Sequence, residues 1–108
     1  MIVCIPVMST GEVGGGWGRA ARVAVAEVLD GAIVRWEPVD VGWDVLHDEG
    51  TEGGHHARIA RFIADHRVEA VVAAHMGPPM AQMLGRMGIT VRLGAHGDAK
   101  LAVLAAGL

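Results

Sequence analysis

The stretch RVAVAEVLDGAIVRWEPV, residues 22–39, decides the fold. Residues 22–29 form an extended apolar run with Val23, Val25 and Leu29, and residues 32–39 form a second run with Val34 and Trp36. Between them stands Asp30-Gly31, a dipeptide that tolerates the positive φ angles of a two-residue hairpin turn. The pattern predicts an antiparallel pair. Upstream, residues 2–7 (IVCIPV) direct Val3, Ile5 and Val7 to one side and Ile2, Cys4 and Pro6 to the other. Apolar residues on both sides mark a central strand.

Downstream the rhythm changes to alternating helices and strands. Gly42 to Glu52 reads as a connection with an acidic end. A helix follows with Ile59, Phe62 and Ile63 on one face and Arg58, Arg61 and Asp65 on the other. Glu69 to Ala74 reads as a buried strand, and Pro78-Pro79 opens a helix whose stripe is Met80, Met83, Leu84 and Met87, ended by Gly88. Ile89 to Leu93 reads as an edge strand. Asp98 caps a last helix with an expected stripe of Leu101, Leu104, Ala105 and Leu108.

The order is βββαβαβα. Right-handed crossovers join the parallel strands, so the hairpin takes the far side of strand one. The expectation is one α/β domain over residues 1–108, with a mixed five-stranded sheet of order 3-2-1-4-5 and helices on both faces. This is the ribonuclease H-like topology, with its switch point between strands one and four.

Composition narrows the function classes. At 108 residues the chain suits a single core, and 52% hydrophobic with 19% charged residues is a globular balance. No run is long enough to span a membrane, and the start alternates like a strand instead of resembling a secretory signal, so a cytoplasmic location is expected. A net charge of -3 without a Lys/Arg cluster argues against nucleic-acid partners. A single cysteine excludes an internal disulfide and any all-thiolate metal site within one chain. Strand one carries no carboxylate, so the converging acids of a metal-dependent nuclease are missing, and Ser9 lacks the setting of a strained nucleophile turn. No catalytic residue is assigned.

Gly11 to Arg19, His75-Met76-Gly77-Pro78 and Gly94-Ala95-His96-Gly97 each follow a strand, and loops at the carboxyl ends of strands line one crevice in an open α/β sheet. Gly14, Gly15, Gly16 and Gly18 suit a nest of backbone amides for an anion, with Trp17 as its lid, against the plainer reading of a flexible loop. The five-donor fork of Arg19 suits an oxo or sulfido anion, against the plainer reading of a solvated arginine or a salt bridge to Glu12 or Glu27. His75 precedes a helix start whose amides point at the crevice, which makes it the leading metal or sulfide contact. Its plainer reading is a histidine that holds a neighbouring loop. Met76, Gly77, Gly94 and His96 complete the candidate lining. His55 shares the apolar side of its helix with Ile59 and is the second candidate metal contact, against a partly buried helix-start histidine. Cys4 is read as an inert core thiol.

The order and spacing of Met1-Ile2-Val3-Cys4-Ile5-Pro6-Val7, Gly18-Arg19-Ala20, His75-Met76-Gly77-Pro78 and Leu93-Gly94-Ala95-His96-Gly97 resembles the dinitrogenase iron-molybdenum cofactor biosynthesis family over nearly the whole chain. The resemblance implies a nitrogen-fixation accessory protein that binds a metal-sulfur cluster without catalysis. The cargo would be iron-molybdenum cofactor, its precursor, or a molybdenum-copper sulfide held without covalent protein ligands. Cluster-assembly or acceptor proteins are the implied partners, and the chain itself would be a monomer or a weak homodimer. Two departures stand out. Family members often carry His-Phe before Gly-Arg-Ala, where this chain has Gly16-Trp17, and Pro79-Met80-Ala81 replaces the common Asn-Ala after Gly-Pro. The alternative reading is a metal-free interaction or regulatory module that keeps the fold.

Overall fold

The computed structural model describes residues 1–108. Five strands form one sheet in the order β3-β2-β1-β4-β5: β1 Ile2–Pro6, β2 Arg22–Leu29, β3 Ala32–Asp40, β4 Ala70–Val72 and β5 Thr90–Arg92. β1 is antiparallel to β2 and parallel to β4, and β4 is parallel to β5, as expected of a hairpin on one side and crossovers on the other. Asp30 (φ 51) and Gly31 (φ 76) both adopt the left-handed region that the hairpin turn demands. The β2/β3 register shifts at Glu27/Val28, where Val34 is the extra residue.

Alternation along the strands builds two cores. Cys4, Val23, Val25 and Val71 face helix α2 (Glu52–Asp65) through Ile59 and Ile63, and helix α3 (Pro78–Arg86) through Met80 and Leu84. Val3, Ile5, Ala24, Ala70 and Val72 face the short helix α4 (Ala99–Ala105). Thr51 caps α2 by accepting from the Gly54 amide at 3.0 Å, and Asp98 caps α4 by accepting from Leu101 at 2.9 Å.

The structure corrects three expectations of the helices. Met87, expected on the buried stripe of α3, is exposed just past its end. Inside the 42–52 connection lies a one-turn helix, α1 (Trp43–Leu46), which turns Trp43 into the core. Four residues are too few to carry a period. In α4 the buried face is Ala99, Ala102, Val103 and Ala106, while Leu101 and Leu104 are exposed. Small side chains let this helix lie close to the sheet, so Leu101, Leu104 and Ala105 are turned outward, while Leu108 packs against the core as expected.

Cys4 has no exposed surface, and desolvation pushes its thiol pKa well above the ordinary value. Folded Cys4 stays neutral while the unfolded chain ionises from about pH 8.5. The contribution of this group is therefore constant below that pH and falls as pH rises above it. The chain contains no tyrosine to add to this slope. Thermal stability is expected to decline between pH 8 and 10, with Cys4→Ala flattening the decline. An equal slope in both proteins would assign the effect to other groups.

Candidate functional site

The glycine-rich loop after β1 ties the other two loops to itself through its backbone. Trp17 N–H donates to His75 O at 3.2 Å, and residues Gly16 and His75 pair as a parallel bridge. Val13 N–H donates to Gly97 O at 2.8 Å, Ala99 N–H donates to Gly11 O at 2.9 Å, and Glu12 pairs with Asp98. The three loops thus converge at the carboxyl ends of β1, β4 and β5.

The space they enclose is divided. One cleft of about 370 Å³ is lined by Pro6, Ser9, Gly14, Gly15, Gly16 and Arg19, with Arg22 and Asp40 at its side. A second groove of about 560 Å³ runs between β5 and α4 and holds Gly94 and His96 with Arg92 and Leu101. The single crevice expected from the topology is therefore two, and His96 does not share a wall with Arg19.

In the first cleft, Arg22 and Asp40 pair with each other at 2.7 Å. Arg19 pairs with no acid, neither Glu12 nor Glu27, and its side chain makes no hydrogen bond within the chain. Its donors are free, and the side chain is exposed at the cleft. Gly14 lies against β1, its amide donating to Pro6 O at 2.9 Å, and a Cβ there would fall 3.2 Å from Pro6 Cβ. Gly16 separates the cleft from His75: a Cβ on Gly16 would lie 2.7 Å from His75 Cε1. The His75 ring rests on that glycine, exposed and without a hydrogen bond.

Other candidates take different roles. Trp17 is no lid: it is fully buried in the α2/α3 core, 5.1 Å from Trp43 in an edge-to-face contact. Its Nε1 is buried without a partner. Met76 packs against the same core, and Gly77 forms the N-cap of α3. The anion-binding helix start expected there is blunted, because Pro78 and Pro79 carry no amide hydrogen.

His55 is buried, with both ring nitrogens engaged. Nε2 lies 2.7 Å from Gly18 O and Nδ1 lies 2.8 Å from Arg58 Nη1. A carbonyl only accepts, so Nε2 carries the proton and donates to Gly18, while Nδ1 accepts from the guanidinium. No lone pair remains for a metal. His55 is the histidine that holds a loop, the role considered for His75. More generally, no three His, Cys, Asp or Glu side chains form a group that could hold a metal ion.

Sequence reasoning missed Asp40 at the cleft. Counting outward from Asp30-Gly31 pairs Arg22 with Val39, and the bulge moves the partner to Asp40. The loop-holding role of His55 was half visible, in its spacing from Ile59.

Among solved structures, PH0822 is 22% identical to this chain, with TM-score 0.76 over 99% of this chain and 89% of its own. A Thermotoga protein provisionally named a NifB protein, of the DUF35 family, is 20% identical with TM-score 0.70, over 96% and 84%. A Methanocaldococcus jannaschii protein provisionally named a dinitrogenase is 12% identical with TM-score 0.66, over 99% and 88%. At these identities the likeness is one of fold. No curated protein matches the chain significantly. The family model described as dinitrogenase iron-molybdenum cofactor matches residues 1–106, and the chain belongs to that family.

Proposed function

We propose that this protein is a non-catalytic carrier or scaffold for an anionic metal-sulfur cluster, bound as cargo in the cleft of Gly14, Gly15, Gly16 and Arg19. The observation that carries the reading is Arg19, an exposed guanidinium with no acid partner in a cleft that it shares with Gly14, Gly15 and Gly16. A free fork of donors at a cleft is suited to an oxo or sulfido anion. The donor set fits this cargo better than a bare cation, since no group of three ligating side chains is present. Family membership supports cargo of the iron-molybdenum type, and we extend the proposal to a precursor or a molybdenum-copper sulfide.

His75 belongs to the same reading. Where family members often carry histidine, this chain has Gly16, and the His75 ring fills the space that a side chain at 16 would need. An imidazole is thus presented beside the cleft from a different loop. Hand-over to assembly or acceptor proteins, and work in the cytoplasm, complete the proposal. The net charge of -3 is no obstacle, because salt screens it within about 10 Å and the local donors decide binding.

The test is retention of tetrathiomolybdate with copper(I), and separately of an iron-molybdenum-sulfur cluster, through anaerobic gel filtration. Wild type is expected to retain either one or both near one cluster per chain, with Arg19→Ala weakening affinity roughly tenfold to a hundredfold, the range of a lost charged hydrogen bond. High salt should weaken it in the same direction. Absence of retention in wild type would leave the metal-free interaction module as the better account.

A further inference from the structure

Strand β3 is an outer strand of the sheet, nine residues long, and it is paired only on its β2 side. Its outer edge is a candidate template for a further strand. We infer that this edge pairs with a second copy of the chain, antiparallel about a two-fold axis through Trp36.

The register follows from the backbone. Val7 N–H donates to Arg22 O and Val28 N–H donates to Met1 O, so the even-numbered residues of β2 turn their main-chain groups towards β1. Odd-numbered Val23, Val25 and Glu27 therefore bond β3 through Val39, Glu37 and Arg35. This leaves the main-chain groups of Trp36, Pro38 and Asp40 pointing outward from the free edge. A two-fold pair must match these outward groups with their own copies.

Charge selects among the few alignments available. Centred on Trp36, Arg35 lies opposite the partner's Glu37 and Glu37 opposite the partner's Arg35. Shifting the centre to residue 35 or residue 37 instead sets arginine against arginine or glutamate against glutamate. Opposite charges directly across a pair stabilise it and like charges oppose it. Arg35 and Glu37 are exposed and neither has an ion-pair partner within its own chain, so both are available. On the other side of the strand, Trp36 meets the partner's Trp36, with Lys100 Nζ 5.5 Å from the ring of its own chain. The only charge on the 32–40 strand that is already committed is Asp40, held by Arg22.

Two features limit the strength of the pair. Pro38 has no N–H, which removes one hydrogen bond from each end of the ladder, and the bulge at Val34 ends the regular edge. The expected product is a reversible dimer, not a growing assembly, because two-fold pairing consumes the β3 edge of both copies.

Sedimentation velocity over a concentration series tests this with charge variants. Wild type is expected to form a dimer at high concentration. Arg35→Glu alone and Glu37→Arg alone each place like charges across the axis, so each should raise the dissociation constant at least tenfold. Mixing those two variants should produce a heterodimer, and the double variant Arg35→Glu/Glu37→Arg should restore the homodimer. Pro38→Val supplies the missing amides and should tighten the dimer several-fold. A strictly monomeric wild type at millimolar concentration would overturn the inference. So would single variants that dimerise as wild type does, or a mixture that forms no heterodimer while the double variant behaves as a monomer.

Discussion

Trp17→Ala is expected to destabilise the protein by about 3–5 kcal/mol, the range for removing a buried aromatic side chain. Trp17 is fully buried although it sits in a short 3-10 turn among glycines. Its ring begins an edge-to-face chain, 5.1 Å to Trp43, and from there 5.5 Å to Phe62 on α2. The same residue donates its backbone amide to His75 O. Losing the ring would empty part of the core and free the loop that carries Arg19. Against a total stability of about 5–15 kcal/mol, a loss of this size threatens folding itself. Trp17→Phe is the informative companion: it keeps an aromatic ring and removes the buried Nε1 that lacks a partner, so part of the lost packing is offset. Urea midpoints should rank wild type, Trp17→Phe and Trp17→Ala in descending order. An alanine variant within about 1 kcal/mol of wild type would show that the ring is not an anchor.

The second large effect is expected at His55. Its ring joins helix α2 to the Gly18 carbonyl across 37 positions of sequence, and its other nitrogen accepts from Arg58. Removing it leaves the half-buried Gly18 carbonyl without its donor, as well as a cavity, together about 2–4 kcal/mol. Arg58→Ala should cost less, because Arg58 is only half-buried and the Gly18 bond survives. His55→Ala should also speed amide exchange at residues 17–20 and weaken anion affinity several-fold, although His55 does not line the cleft. Unchanged exchange in that loop would reduce His55 to a packing residue.

The hairpin was the most legible part of the chain. Alternation gave the limits of β2 to the residue, because Asp30-Gly31 fixes the turn and one strand limit implies the other. The bulge was hidden, since no glycine or proline marks Val34, and it alone decides that Asp40 instead of Val39 reaches Arg22. Helix α4 was misread for a different reason. In AKLAVLAAGL nearly every position is apolar, so period cannot choose a face, and the choice falls to side-chain size against the sheet.

The site was legible as a neighbourhood but not in its orientation. Topology was enough to bring the three loops together, and backbone hydrogen bonds do join them. Sequence could not say that Trp17 turns inward while Arg19 turns outward two residues later, because glycines permit either course. Nor could it say that the loops would hydrogen-bond closely enough to divide the space between them, leaving Arg19 in one cleft and His96 in another.

The most direct test of the cargo site is a two-dimensional amide NMR titration of ¹⁵N-labelled protein with tetrathiomolybdate and copper(I), repeated with Arg19→Ala. The account predicts saturable shifts concentrated at Gly14, Gly15, Gly16 and Arg19, with the His75 ring responding beside them, and their loss in the variant. Saturable shifts confined instead to the β5/α4 groove, or equal responses in both proteins, would contradict it.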